Sequence, residues 1–86
     1  MIDTKKECFI CGSWQNLEEH HLLHGSGRRK LADEDGLTLF LCHYCHKELH
    51  DHGKHDLDLQ VYAQRYYEAN IGTRDEFMKR YGKSYI

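Results

Sequence analysis

Two short apolar runs in the first half of the chain predict a pair of β-strands. Residues 37–41 read Leu-Thr-Leu-Phe-Leu after Gly36, which is the clearest strand pattern in the sequence. Residues 17–23 predict a second short strand that carries two adjacent histidines. Glycines at positions 25 and 27 interrupt the chain after it, and residues 28–36 are predicted as a loop or a short helix. A short helix is predicted over residues 45–52, ended by Gly53.

The last third of the chain is predicted to form two helices. Asp56 is the expected N-cap of the first helix, and a stripe of residues spaced three or four apart is expected to face the core. That stripe consists of Leu59, Tyr62, Tyr66 and Ala69. The second helix begins with a capping box, Thr73 followed by Glu76, and ends at Gly82. We interpret the aromatic residues as core packing, with stacking on nucleotide bases as the alternative.

The size and composition of the chain favour a small metalloprotein. A core built from 86 residues is only marginally stable alone, so an additional cross-link within the fold is expected. Four Cys and eight His in that length suggest that a bound metal ion provides this cross-link. The net charge of −2 gives no general attraction to nucleic acid, so such a contact needs a local basic patch. Without an apolar run of membrane-spanning length or a signal-peptide pattern, we expect a cytoplasmic protein with no membrane partner.

The four cysteines occur as two Cys-x-x-Cys pairs, and each pair supplies half of a tetrahedral zinc site. The sequence therefore predicts one structural zinc ion whose binding free energy also stabilises the fold. Disulfides or redox-active thiols are the alternative. The predicted ligands are Cys8, Cys11, Cys42 and Cys45.

Several histidines indicate a second metal site. His46 and His50 are four residues apart, so they share one face of the predicted helix and can bind one ion. A third nitrogen from the strand that carries His20 and His21 would complete a three-ligand site with open positions, which is typical of catalytic metals. The alternative is that these histidines belong to the zinc site or to the surface, but four Cys already fill a tetrahedron.

These residues together resemble the HNH endonucleases of the ββα-metal type. The motif runs from the first Cys pair through Glu19-His20-His21-Leu22 to Cys42-x-x-Cys45-His46-x-x-x-His50, within residues 8–53. The C-terminal stretch is similar to the tails of short phage-encoded HNH proteins. The resemblance implies one nuclease domain over residues 1–86. Its ββα-metal, treble-clef core at 8–53 would hold the four-cysteine zinc, and two helices would follow at 54–86.

The resemblance also implies a function and a role for each histidine. His20, His46 and His50 match the ligands of a catalytic divalent ion, which would be Mg²⁺, Mn²⁺, Ni²⁺ or Zn²⁺. His21 matches the general base that takes a proton from water, and neighbouring strand residues do point to opposite faces. The implied activity is hydrolysis of DNA phosphodiester bonds in the host cytoplasm, with a phage or host protein as a further partner.

One position departs from the family motif. Its middle Asn is replaced by Leu37, and Asp33, Asp35 or a backbone group are the candidates to take over its role in orienting the base. The alternative function is a non-catalytic zinc-binding module that binds nucleic acid or a protein.

The only basic cluster of the sequence lies between the two predicted strands. It consists of Arg28, Arg29 and Lys30, and we interpret it as a contact to the DNA backbone. A solvated loop, balanced by the acidic residues at 33–35, is the alternative. The remaining histidines are assigned to the surface or to supporting roles, with His24 the first candidate for more.

Overall fold

A computed structural model describes residues 1–25 and 27–86, which form two strands and four helices in a small α+β fold. None of the described helices is both long and apolar enough to cross a membrane. In chain order the elements are β1 (Leu17–His21), α1 (Arg28–Asp35), β2 (Thr38–Cys42), α2 (His43–His52), α3 (Asp56–Asn70) and α4 (Arg74–Tyr81).

Strands β1 and β2 form an antiparallel pair close to the positions predicted from the apolar runs. In their register His20 lies opposite Leu39, and Leu17 lies opposite Cys42. The predicted first strand is two residues too long, because the chain turns into the core after His21. There the backbone N–H of Leu22 donates to the carbonyl of Leu37 at 3.0 Å, and both leucine side chains are fully buried.

The hydrophobic core receives side chains from every helix and from β2. Its centre is an aromatic group on α3 and α4, where the ring of Phe77 lies 5.3 Å from Tyr67 and 4.7 Å from Tyr81 between centroids. The reading of these aromatic residues as core is confirmed for these three side chains. The core residues are Cys8, Leu22, Leu23, Ala32, Leu37, Leu39, Leu41, Cys42, Cys45, Leu49, Leu59, Ala63, Tyr67, Phe77 and Tyr81.

The predicted stripe on α3 is wrong in part, because the buried face is rotated around the helix. Leu59 is buried as expected, but the positions that follow it into the core are Ala63, Gln64 and Tyr67. Tyr62 lies 5.2 Å from Phe9 between ring centroids and stays 38% exposed. The packing against α4 selects this face.

A buried glutamine explains the rotation. Gln64 is fully buried, and its side chain donates to Ser84 and Glu68 and accepts from the backbone N–H of Tyr85 at 2.6 Å. A buried amide needs such partners, so Gln64 holds the C-terminal segment against α3. Periodicity of apolar residues alone cannot reveal a polar core position.

The ends of the helices follow local sequence signals with one exception. The capping box of Thr73 and Glu76 is present at the start of α4, and Gly53 and Gly82 end α2 and α4 in the left-handed conformation. The exception is α3, whose N-cap is His55 with φ 66° instead of the predicted Asp56, which is the first helical residue.

Helix α4 holds both ends of α1 through a set of contacts that we call the α1–α4 clamp. At the start of α1, Arg28 donates from Nε to the carbonyl of Tyr81 at 2.9 Å. At the end of α1, Asp35 accepts from Arg80 Nε and from the Tyr81 hydroxyl, both at 2.6 Å, and Glu34 accepts from Arg80. Since α1 buries only one side chain of its own, these polar contacts determine its position.

Candidate metal centres

The four predicted zinc ligands lie together, with all Sγ atoms within 4.8 Å of one another. The Sγ atoms of Cys11 and Cys42 are 3.7 Å apart. Two thiolates at about 2.3 Å from a tetrahedral zinc ion are about 3.8 Å apart, whereas a disulfide requires about 2.05 Å. All four thiols are free. The cluster is therefore consistent with a structural zinc site and not with a pair of disulfides.

Two tight turns bring the sulfurs together. In the first, Gly12 has φ 78° and donates its N–H to the carbonyl of Cys8, and the N–H of Cys11 donates to Cys8 Sγ. In the second, Cys42 is the last residue of β2 and the N-cap of α2, and its Sγ accepts from the N–H of Cys45 at 3.4 Å. A hydrogen bond from Phe9 to the carbonyl of Phe40 attaches the first turn to β2.

The protonation of the sulfurs favours binding of a cation. Burial raises the pKa of Cys8, but backbone N–H groups of Cys11, Cys42 and Ile10 outweigh it and lower that pKa to about 6. Burial and the neighbouring sulfurs raise the pKa of Cys45 far above its usual range. One thiolate therefore opposes ionisation of the next, and a divalent cation removes that conflict by binding them all.

The three histidines predicted to bind a second ion also lie together, as the His cluster of His20, His46 and His50, with one nitrogen of each within 4.8 Å. His20 comes from β1, and the other two lie one turn apart on α2. The Nε2 atoms of His46 and His50 are 3.0 Å apart, close to the about 3.3 Å between two nitrogens on a tetrahedral zinc ion. His20 Nε2 is buried and has no hydrogen-bond partner among the described residues.

Burial keeps His20 in the form that binds metals. Loss of hydration lowers the pKa of His20 to about 3, and the positive charges that His46 and His50 can carry act in the same direction. The imidazole is therefore neutral at neutral pH and has a nitrogen lone pair to offer to an ion shared with the other two histidines.

Glu18 is a supporting residue that the sequence reasoning missed. Its carboxylate accepts from His46 Nδ1 at 2.8 Å and from His43 Nδ1 at 3.0 Å, and these two histidines lower the pKa of Glu18. With the proton on Nδ1, the lone pair of His46 is on Nε2, the atom that faces His50. Glu18 and His20 are two residues apart on β1 and so share a face, which was the available signal.

His21, the next residue on β1, does not belong to the group of close nitrogens that forms the His cluster. Its side chain is 15% exposed, and its Nε2 is 3.4 Å from Asp33 Oδ1. His24 is held separately, with Nε2 3.0 Å from Asp56 Oδ1. The open cleft beside the His cluster has a volume of about 150 Å³. Its lining residues are Glu19, His20, His21, His24, Arg29, His46 and His50.

The basic cluster divides between two places. Arg29 and Lys30 are exposed, and both line a groove that they share with His21 and Asp33, so they lie beside the cleft. Arg28 is half-buried in the α1–α4 clamp, where its Nε is bound to the carbonyl of Tyr81. Of the three predicted DNA contacts, the structure thus places Arg29 at the cleft and Lys30 in the adjoining groove.

The residues near the missing Asn of the motif have distinct contacts. Leu37 is fully buried. Its carbonyl accepts a hydrogen bond from the N–H of Leu22, which links the two ends of the segment between β1 and β2. Asp35 is engaged in the α1–α4 clamp, whereas Asp33 faces His21.

Comparison of the chain with protein-family models, with curated proteins and with solved structures found no match.

We expect the reduced protein to bind one zinc ion tightly at the four cysteines. Cys11→Ser removes a ligand without emptying the core, and it should lose zinc and most of its helical circular dichroism, since metal binding supplies folding free energy. Ser13→Ala, two residues away, is the matched control and should keep both. Elemental analysis that finds a folded, reduced protein without zinc would contradict this prediction.

We also expect a second, exchangeable divalent ion at the His cluster. Calorimetric titration of the one-zinc protein with Co²⁺ or Ni²⁺ should reveal one further site, and His46→Ala should abolish it while zinc and fold remain. Glu18→Gln should weaken it about 10–100-fold, because it removes the partner that orients His46. His52→Ala, an exposed position on the same helix, serves as the control. Unchanged affinity in His46→Ala would show that the ion binds elsewhere.

Proposed function

We propose that this chain is a metal-dependent endonuclease of the HNH type that hydrolyses phosphodiester bonds in DNA. The observation that carries the proposal is the shared cleft, which contains the His cluster, the separate imidazole of His21 and the guanidinium of Arg29. A divalent ion, a general base and a phosphate-binding cation are the groups that phosphodiester hydrolysis requires. The resemblance to HNH proteins agrees with this set.

The His cluster fits a catalytic ion better than a structural one. The buried, unpartnered Nε2 of His20 costs free energy unless something binds it, and the Nε2 atoms of His46 and His50 are close enough to bind the same ion. Three protein ligands would leave positions free for water and a phosphate oxygen. A bound ion would supply Lewis-acid stabilisation of the charge that develops on the phosphate.

His21 is the general base in this proposal. Its imidazole accepts a proton from water as the water oxygen bonds to phosphorus and the bond to the leaving oxygen breaks. The leaving oxygen takes a proton from solvent water and becomes a hydroxyl end, the other product is a phosphate monoester end, and His21 releases its proton to solvent. His21 is suited to this role because its ring is partly exposed to the cleft and its Nε2 is engaged with Asp33 and not with the His cluster.

Arg29 and Lys30 hold the DNA backbone beside the reacting phosphate. Their positive charges lie next to His21 on a chain whose net charge is −2, so the attraction to DNA is local to this groove. Arg28 contributes indirectly, by keeping α1 in place.

The proposed chemistry predicts that His21→Ala loses about 10²–10⁴-fold in cleavage rate, the usual contribution of a general base. The assay is nicking of supercoiled plasmid with Mg²⁺, Mn²⁺, Ni²⁺ or Zn²⁺ against a chelator. The variant should keep both metals and its affinity for DNA, and His52→Ala should cleave at the parent rate. If the parent binds DNA with both metals bound but never cleaves it, the chain is a binding module and not an enzyme.

The proposed DNA contacts predict a change in the salt dependence of binding. Replacing Arg29 and Lys30 with Ala should weaken binding to all DNA sequences alike and reduce the slope of log affinity against log salt by about 2, because two phosphate contacts are lost. The control is Lys47→Ala, which removes a lysine paired with Asp51 on α2. An unchanged slope in the double variant would show that this groove does not contact DNA.

A further inference from the structure

A carboxylate on α1 contacts the proposed general base. Asp33 Oδ1 is 3.4 Å from His21 Nε2, and no other hydrogen bond involves the His21 ring within residues 1–25 and 27–86. The carboxylate is 67% exposed, while the imidazole is 15% exposed. Both side chains line the groove that also contains Arg29 and Lys30.

Asp33 is a residue of α1, and contacts at both ends of this helix hold it in place. The α1–α4 clamp holds α1 at both of its ends through Arg28 and Asp35. Between those ends Ala32 is fully buried, and its carbonyl accepts from the N–H of Leu37 at 2.8 Å. The backbone on both sides of Asp33 is therefore fixed relative to the core, which keeps the carboxylate within reach of His21.

Two of the other acidic side chains of this region are bound to α4. Asp35 accepts from Arg80 and Tyr81, and Glu34 accepts from Arg80. Glu19 is exposed and has a carboxylate oxygen within 4.8 Å of a His21 nitrogen and of Asp33, but it makes no hydrogen bond to His21 in the described part of the chain. Asp33 is therefore the acidic residue within hydrogen-bond distance of the base.

We propose that Asp33 is a positioning residue for His21, which it holds in the tautomer that carries its proton on Nε2. This inference rests on the proposed function and deepens it. An ionised carboxylate accepts only, so the nitrogen that faces it has to be the one that carries hydrogen. The lone pair of the neutral ring is then on Nδ1, and Nδ1 is the atom that takes the proton from water.

This arrangement gives Asp33 the role that the middle Asn of the motif would have had in orienting the base. Leu37 occupies that position of the sequence and contributes packing and two backbone hydrogen bonds, one from its N–H to Ala32 and one from Leu22 to its carbonyl. In this proposal the orientation of His21 comes instead from α1, the helix between β1 and β2, and α4 keeps α1 in place.

Kinetics of plasmid cleavage test the effect of this contact on the reaction. Asp33→Ala should lower kcat at least about tenfold with KM unchanged, as expected when the partner of a working histidine is removed. Asp33→Asn retains an accepting oxygen and should have a rate between those of Asp33→Ala and the parent. Asp58→Asn makes the same change at an exposed position on α3, away from the cleft, and should keep the parent rate. Equal rates for Asp33→Ala and the parent, or a change in KM alone, would overturn the proposal.

The tautomer of His21 gives a second test that does not depend on activity. Long-range ¹H–¹⁵N spectra of ¹⁵N-histidine protein with one zinc equivalent, recorded at about pH 8 where ordinary imidazoles are neutral, report which nitrogen carries hydrogen. His21→Gln identifies the signal. We expect the Nε2–H form in the parent and a mixture in Asp33→Ala.

The two tests separate the two proposals. A parent protein that does not cleave DNA but shows the Nε2–H form would refute the endonuclease function and leave the Asp33 contact standing. An Nδ1–H form in the parent, or a His21 signal that reports Nε2 bound to an added ion, would overturn the role of Asp33.

Discussion

The geometry of the candidate site depends on one junction in the chain, at Cys42. This residue is the last in β2, the N-cap of α2 and a member of the sulfur cluster. His20 lies on the strand paired with β2, and His46 lies four residues after Cys42 on α2. The angle at which α2 leaves the sheet therefore determines whether the histidines meet. A metal held by the four sulfurs would fix that angle, so the stability of the fold and the shape of the His cluster have a common origin.

The His cluster also lowers the stability of the fold, and packing elsewhere has to offset this loss of folding free energy. An imidazole nitrogen buried without a partner, as at His20, is destabilising by about 1–3 kcal/mol. Sites that retain such groups are commonly functional, because evolution would otherwise replace them with apolar side chains. Glu18 gives the neighbouring His46 a hydrogen-bond partner that orients its ring, so His46 adds less to this destabilisation. The buried leucines around the strands supply the packing free energy that offsets it.

The sequence predicted those features that depend on neighbouring residues. The spacing of Cys42 and Cys45 on one turn and of His46 and His50 on one helix face follows from local geometry, as does the capping box at Thr73. Apart from Glu18 and the N-cap of α3, the features that were missed depend on distant contacts. No periodicity predicts that Gln64 is buried by Ser84 and the N–H of Tyr85, or that Arg28 binds the end of α4 instead of facing the cleft.

The α1–α4 clamp has a consequence for the time at which the site forms during synthesis. Its contacts join residues 45 to 53 positions apart, and α1 has little apolar surface of its own. The cysteines and histidines up to position 50 leave the ribosome first and can come together early. Helix α1 gains a fixed position only after Arg80 and Tyr81 have emerged. While the ribosomal tunnel still covers those two residues, the groove beside His21 is incomplete, and their emergence completes it.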